Sequence, residues 1–169
     1  MRAAIVGCGF TAETHLRAPR RVGDAQIVAA CDRGAERAAV LARTHRIPRA
    51  FDSVARMIAE ARPDVVHVLT PPDAHCEVAI QAISAGCYVL VEKPMAMSVL
   101  EASRMLEVSE QQNVRLGVCH NFRFVAAFLK ARALLERDVL GESIVVALDQ
   151  MWRAQEKETA ATCAQSSTP

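Results

Sequence analysis

Long apolar runs are missing from this sequence, and aromatic residues are few. Phe, Trp and Tyr make up 4% of the 169 residues. No apolar stretch approaches the roughly 18 residues of a membrane-spanning helix. Arg2 precedes four apolar residues, but glycines interrupt them too soon for a secretion signal, whose apolar part has about 7–15 residues. We therefore expect no membrane association and a cytoplasmic location.

The sequence also lacks the marks of a nucleic-acid-binding or metal-binding protein. Its 20 basic and 19 acidic residues leave a formal net charge of +1, which gives no reason to expect nucleic acid or an anionic surface as a partner. The six cysteines include no C-x-x-C pair. Disulfide frameworks belong to small secreted chains, and zinc sites usually have closely spaced ligands. The sequence therefore predicts reduced cysteines and no metal site.

The beginning of the chain has the pattern of a phosphate-binding turn. A predicted strand at residues 3–6 runs into Gly7, Cys8, Gly9, Phe10, Thr11 and Ala12, in the order G-x-G-x-x-A. The first glycine permits a tight turn, the second leaves room for phosphates, and the small third residue lets helix and strand pack closely. Amide groups at the start of the following helix then hold the anion.

An acidic residue follows the second predicted strand. Asp32 ends an apolar run at 26–31 and lies 25 residues after Gly7. A carboxylate near that distance suits the adenosine ribose hydroxyls of NAD and repels the 2′-phosphate of NADP. Arg33 follows directly and could instead receive that phosphate, so the sequence favours NAD and leaves NADP open. A glycine turn with an unrelated surface aspartate is the alternative.

Strand-like and helix-like segments alternate over about 120 residues. Several of the helices have a start or stop signal of their own, such as Ser53 before a helix and Gly86 after one. In the fifth helix, Ser98 and Glu101 have the spacing of a capping box, and we expect Ala102, Met105 and Leu106 to be buried. Such alternation indicates an α/β protein with a doubly wound parallel sheet. The six predicted strands are residues 3–6, 26–31, 47–51, 65–69, 87–91 and 114–118.

The alternation ends after Val118. A loop, a helix to about Arg137 and one more strand at 143–148 are predicted, and the remainder is polar and aperiodic. We interpret 1–120 as a dinucleotide-binding domain and 121–153 as the start of a second α+β domain. Residues 154–169 have too little apolar surface to offset the entropy of ordering and are predicted to be disordered.

Four motifs carry a resemblance to a known family. They are the glycine loop with His15 after it, Thr70-Pro71-Pro72-Asp73-Ala74-His75 after the fourth strand, Glu92-Lys93-Pro94 after the fifth, and Asn121-Phe122-Arg123-Phe124 after the sixth. On these, residues 1–150 resemble the glucose–fructose oxidoreductase / inositol dehydrogenase (Gfo/Idh/MocA) family of NAD(P)-dependent oxidoreductases. Glu-Lys-Pro at the end of the fifth strand is the most specific of the four.

The resemblance implies a Rossmann fold and a catalytic role for Lys93. In the family this lysine lies beside the nicotinamide and the reacting carbon, where an ammonium can stabilise the developing alkoxide. A surface lysine at a strand end is the alternative. Glu92 is expected to orient the lysine or to contact the ribose, unless it is a solvated carboxylate.

The other motifs are expected to line the same rim, because ligands of parallel sheets bind outside the carboxyl ends of the strands. The cofactor contacts implied are Thr70, Pro71, Pro72 and His75 after the fourth strand, and Asn121 and Arg123 after the sixth. For His75 the alternative is a polar surface residue, and for Asn121 and Arg123 a structural hydrogen-bonded loop. His67, inside a strand, is interpreted as a core or edge histidine.

Family members are about twice as long as this chain. Their second domain supplies substrate contacts and an aspartate–histidine pair, for which we find no counterpart here. We therefore expect weak NAD binding, poor turnover of a polyol or sugar-like substrate, and self-association through the strand at 143–148. Two alternatives are a dinucleotide-binding module without chemistry and a methyltransferase, which also uses a glycine loop and an acidic residue.

Overall fold

The computed structural model describes residues 1–17, 25–137 and 141, and within them the α/β prediction is confirmed. Six strands form one parallel sheet in the order β3-β2-β1-β4-β5-β6. This is the order of a doubly wound Rossmann sheet, with its reversal between β1 and β4. The strands are β1 (Arg2–Val6), β2 (Gln26–Cys31), β3 (Ala50–Phe51), β4 (Val65–Val68), β5 (Tyr88–Val91) and β6 (Leu116–Val118).

Helices cover both faces of the sheet. Successive strand residues point to opposite faces, so Ile5 packs with α1 and α2, whereas Ala4 and Val6 pack with α3, α4 and α5. The largest fully buried side chains include Met57, Ile83 and Met105, which lie on the face covered by α3, α4 and α5. The helices are α1 (Phe10–Arg17), α2 (Ala35–His45), α3 (Val54–Ala61), α4 (His75–Ser84), α5 (Val99–Gln111) and α6 (Ala126–Glu136), with 3-10 turns at Pro72–Ala74 and Asn121–Phe124.

Local signals start and stop several helices as expected. The Ser53 side chain accepts a hydrogen bond from the Arg56 amide at the start of α3. The Ser98 hydroxyl accepts from the Glu101 amide, while the Glu101 carboxylate accepts from the Met97 amide. Glu101 therefore satisfies the residue before the cap and not the cap itself.

Two local predictions are wrong. Leu106 is 48% exposed, because the narrow buried face of α5 runs through Met105 and Ser109. Leu106 lies to one side of this face, about 100° around the helix from Met105 and about 60° from Ser109. The third strand is limited to Ala50–Phe51. Ile47 is buried, but its amide is bonded to the Ala42 carbonyl in the turn that ends α2.

The chain divides into two compact units, Met1–Arg123 and Phe124–Pro169. The first holds the whole sheet. Of the second, the structure describes α6 and its flanking residues, while the predicted strand 143–148 and tail 154–169 lie outside the described residues. The domain boundaries inferred from the sequence stay a prediction. Across residues 1–17 and 25–137, the structure contains no helix that is both long and apolar enough to cross a membrane.

Candidate functional site

The glycine loop follows β1 and packs against the backbone that follows β4. Gly7 has φ +98°, and a Cβ there would lie 2.5–2.6 Å from the backbone of Leu69 and Thr70, so only glycine fits. A Cβ on Gly9 would meet nothing within 4 Å. Ala12 is fully buried against the sheet. The three small residues thus serve a tight turn, an open surface and a close helix–strand contact, as the motif predicts.

Asp32 is held against this loop by hydrogen bonds. Its Oδ2 accepts from the Cys8 amide at 2.9 Å, and its Oδ1 accepts from the Gly34 amide at 2.8 Å and from Arg37 at 2.7 and 3.0 Å. Burial acts to raise the pKa of Asp32, but the bonds from Cys8, Arg37 and Gly34 outweigh it and lower the pKa below its ordinary value. The carboxylate is therefore ionised and lies next to the phosphate turn.

A cleft of about 660 Å³ opens beside these groups, in the size range of small-molecule sites. Gly9, Asp32, Arg33, Thr70 and Pro71 are among its lining residues. The Thr70 hydroxyl oxygen is buried and has no hydrogen-bond partner within the described part of the chain. An open glycine, an ionised acid and an unsatisfied hydroxyl around one cleft fit a nucleotide with phosphates and ribose hydroxyls.

His75 lies behind the rim and is 1% exposed, so its interpretation as a surface residue is wrong. Its Nδ1 is 2.8 Å from the Pro94 carbonyl oxygen and its Nε2 is 2.8 Å from the Thr70 carbonyl oxygen. Both ring nitrogens are thus used within the protein and neither is left for a cofactor. The ring joins the segment after β4 to the segment after β5.

The predicted catalytic lysine is at the end of β5. Lys93 is exposed, and its peptide bond to Pro94 is cis. Glu92 before it is not a solvated carboxylate, because its Oε1 lies 3.0 Å from His15 Nε2 and its Oε2 accepts from the Lys93 amide at 3.1 Å. Glu92 therefore contacts the backbone of Lys93, which agrees with an orienting role.

The remaining residues predicted to contact a cofactor are exposed or half-buried. Phe10 is 93% exposed at the first turn of α1, with Thr11 after it. Pro72 begins the 3-10 turn after β4, and Asn121 and Arg123 lie exposed in the 3-10 turn after β6. Their contacts with a cofactor stay predictions.

Sequence reasoning missed a cluster beneath Glu92. His15 is 6% exposed, its Nδ1 is 3.1 Å from Nδ1 of His67, and its Nε2 is 4.0 Å from the Cys119 sulfur. Burial and proximity to His15 lower the pKa of His67 to about 4. Burial, followed by the hydrogen bond and charge of Glu92, raises the pKa of Cys119 to about 11.

The spacing of His15 on α1 was the available signal for this cluster. It shares the buried helix face with Ala12 and Leu16, three and one positions away. Sequence alone could not show that β4, β5 and β6 bring partners to this histidine.

The cluster also affects the pKa of Glu92. Burial acts to raise this pKa, but hydrogen bonds from His15, Cys119 and the Lys93 amide outweigh burial and lower the pKa.

Comparison with known proteins agrees with this geometry. The model of the Gfo/Idh/MocA family, described as an oxidoreductase family with an NAD-binding Rossmann fold, matches residues 1–120. The chain is 32% identical over 146 residues to D-glucoside 3-dehydrogenase of Escherichia coli, covering 86% of this chain and 42% of that protein. It is 31% identical over 140 residues to D-apiose dehydrogenase of Paraburkholderia graminis, covering 83% and 37%.

A solved structure shares the fold over the same region. The WlbA dehydrogenase of Bordetella pertussis, crystallised with NADH and UDP-GlcNAcA, superposes with a TM-score of 0.79 at 30% identity, covering 83% of this chain and 43% of that one. The chain thus spans about two fifths of the length of such relatives. The match excludes the methyltransferase alternative, and the chain belongs to the Gfo/Idh/MocA family of oxidoreductases with the NAD-binding Rossmann fold.

Proposed function

We propose that this chain binds NAD at the carboxyl edge of its sheet and forms the cofactor half of an oxidoreductase. The observation that carries the proposal is the Asp32 carboxylate, which accepts a hydrogen bond from the Cys8 amide while Gly9 beside it faces open space. Pyrophosphate would approach the amides at the start of α1, and the adenosine ribose would reach Asp32.

The other rim residues would hold the cofactor from the sides. The Phe10 and Thr11 amides lie at the first turn of α1, where the helix dipole favours an anion. Asp32 favours NAD over NADP because its charge repels a 2′-phosphate, although Arg33 is adjacent. His75 braces the rim from behind. The proposed contacts nearer the nicotinamide are Thr70, Pro71, Pro72, Glu92, Lys93, Asn121 and Arg123.

Lys93 is the proposed catalytic residue. NAD, when bound, supplies the hydride acceptor or donor. In carbonyl reduction the Lys93 ammonium would donate a hydrogen bond, and then a proton, to the substrate oxygen as negative charge develops there. In hydroxyl oxidation the neutral Lys93 amine would accept the hydroxyl proton as the C–H bond breaks. The Glu92 carboxylate, which accepts from the Lys93 amide, would hold this part of the backbone in place.

The substrate that we propose is a sugar, a cyclitol or a related compound, and the reaction takes place at one of its hydroxyl-bearing carbons. Two relatives are named as sugar dehydrogenases, and WlbA was crystallised with a nucleotide sugar. By itself the chain is expected to bind NAD weakly and to turn over substrate poorly. We find no counterpart of the family's aspartate–histidine pair in this sequence, and such general acid–base partners contribute about 10²–10⁴-fold in rate. Saturable NAD reduction with any polyol would contradict the second expectation.

A dinucleotide-binding module without chemistry is the second candidate. It is favoured by the exposed Lys93 side chain, whose ammonium makes no ion pair with any described residue. The two candidates share the cofactor site and differ only in turnover. Hydride transfer that disappears in Lys93→Met while NADH affinity is kept would favour the enzyme.

Titration of the purified chain with NADH, followed by nicotinamide fluorescence, tests the cofactor site. We expect saturable binding that weakens at least tenfold in Gly9→Val, because the new side chain fills the space left for the pyrophosphate. Ala59→Val, on an exposed position of α3, is the matched control and should bind as the wild type does. Absence of saturation in the folded wild type, or equal affinity in both variants, would refute the proposal.

We also propose self-association through the segment 143–148. This segment lies outside the described residues, so the proposal rests on its sequence alone. Its run of five apolar residues, 144–148, offers backbone groups to a second chain if they are unpaired. A charge introduced by Val146→Glu should lower the mass measured by light scattering. An unchanged mass would contradict the idea.

A further inference from the structure

Three side chains from distant parts of the sequence converge beneath the rim. His15 lies on α1, Glu92 follows β5 and Cys119 follows β6. One ligand atom from each, Nε2, a carboxylate oxygen and Sγ, lies within 4.8 Å of the other two. All three belong to the Met1–Arg123 unit, and one is buried and two are half-buried.

The two distances from His15 Nε2 to the other ligand atoms are close to those of a tetrahedral metal site. Bond lengths of about 2.0–2.2 Å to nitrogen and oxygen and about 2.3 Å to sulfur place tetrahedral N and O ligands about 3.4 Å apart and N and S ligands about 3.6 Å apart. The His15 Nε2–Glu92 Oε1 distance is 3.0 Å, and the His15 Nε2–Cys119 Sγ distance is 4.0 Å. Side-chain shifts of about half an ångström would bring both to the tetrahedral values.

The outer contacts of these side chains are also those of a metal site. Ligating histidines use their second ring nitrogen in a hydrogen bond, and ligating carboxylates are hydrogen-bonded in turn. His15 Nδ1 lies 3.1 Å from His67 Nδ1, and the second oxygen of Glu92 accepts from the Lys93 amide at 3.1 Å. If His15 Nδ1 donates to His67, the lone pair of His15 Nε2 faces Glu92 and Cys119. A cation between them would then turn repulsion into coordination.

We propose that His15, Glu92 and Cys119 form a three-ligand transition-metal site with zinc as its preferred ion. A carboxylate and a thiolate neutralise the charge of Zn²⁺, and a mixed set of nitrogen, oxygen and sulfur suits this borderline-soft ion. Binding would release the thiol proton of Cys119 and leave a fourth position for water. The proposal does not depend on the proposed NAD site, although Glu92 precedes Lys93.

The competing arrangement needs no metal. His67 Nδ1–H would donate to His15 Nδ1, and His15 Nε2–H would donate to Glu92, which would satisfy all three side chains. The two arrangements differ in the direction of the histidine–histidine hydrogen bond. They also differ in whether the Cys119 sulfur bonds to an added metal ion, which can be measured directly.

Cobalt(II) is the probe, because a Co²⁺–thiolate bond gives a charge-transfer band in the near ultraviolet and tetrahedral Co²⁺ absorbs strongly in the visible. We expect saturation at one cobalt per chain, displacement by zinc, and loss of the charge-transfer band in Cys119→Ser. Cys76→Ser, which removes a thiol of α4 outside the cluster, is the matched control and should keep the band. Circular dichroism verifies that each variant is folded.

A second variant separates a metal site from a thiol that binds cobalt adventitiously. His67→Leu leaves all three ligands in place but removes the acceptor of the His15 Nδ1 hydrogen bond. It should weaken cobalt binding about 10–100-fold while keeping the band, as losses of outer contacts do. No charge-transfer band in the wild type, a band that survives in Cys119→Ser, or affinity unchanged in His67→Leu would overturn the proposal. The titrations contain no nucleotide, and the NADH titration contains a chelator, so failure of one proposal is separate from failure of the other.

Discussion

The same substitution should lower the stability of the protein at Gly7 and leave it unchanged at Gly9. In Gly7→Ala the added methyl would lie 2.5–2.6 Å from backbone atoms of Leu69 and Thr70, and the residue would keep φ near +98°. A left-handed backbone costs a non-glycine residue about 1–2 kcal/mol. Overpacking costs about 1–3 kcal/mol. The expected loss is about 2–5 kcal/mol, a large part of the roughly 5–15 kcal/mol that stabilises a domain.

Gly9→Ala is the control, because its methyl meets nothing within 4 Å and its backbone is not left-handed. We expect its free energy of unfolding to stay within about 0.5 kcal/mol of the wild type, while its NADH affinity falls. Urea unfolding followed by circular dichroism measures the first quantity, and fluorescence titration measures the second. Equal stability of Gly7→Ala and wild type, or a larger loss in Gly9→Ala, would refute the reasoning.

Three further predictions concern α5 and the acid of the cofactor site. Met105→Ala should lower the free energy of urea unfolding by about 2–5 kcal/mol because Met105 is fully buried, whereas Leu106→Ala at a 48% exposed side chain should cost under about 1 kcal/mol; equal losses would contradict the packing described. The pKa of Asp32 is lowered in the folded state, so its stabilisation is present above the ordinary value of 3.8 and is lost as the pH falls below it. Asp32→Asn should therefore be less stable near pH 7 and lose less on acidification in urea titrations, and parallel pH curves would argue against this. Asp32→Ser should shift binding from NADH toward NADPH, since removal of the charge leaves Arg33 and Arg37 beside the site; an unchanged ratio would mean that another residue contacts the ribose.

The fold was predictable wherever a segment carries its own signal. The run at 26–31 coincides with β2, and Ser53 caps α3, because apolar runs and caps are local properties. Leu106 was mispredicted because an amphipathic pattern gives the buried face only to within a residue. How wide that face becomes depends on the neighbouring sheet, which sequence alone does not supply.

The position of Asp32 in the candidate site followed from the sequence, whereas its hydrogen-bond partners did not. Strand ends at one edge of a parallel sheet follow from topology, so Asp32 beside the glycine loop could be foreseen. That Arg37 and the Cys8 amide hold its carboxylate could not, because those bonds depend on the turn after β2. His15 and Cys119 are 104 residues apart, and only the folded sheet brings them together.

The described sheet is bounded by its two shortest strands, with two residues in β3 and three in β6, while the strands between them have four to six. Growth of an ordered aggregate needs a long, flat template of unsatisfied amides and carbonyls. The edge strands β3 and β6 offer an incoming peptide only a few unpaired backbone amides and carbonyls. The described edges of the folded Rossmann unit should therefore be poor templates for fibril growth.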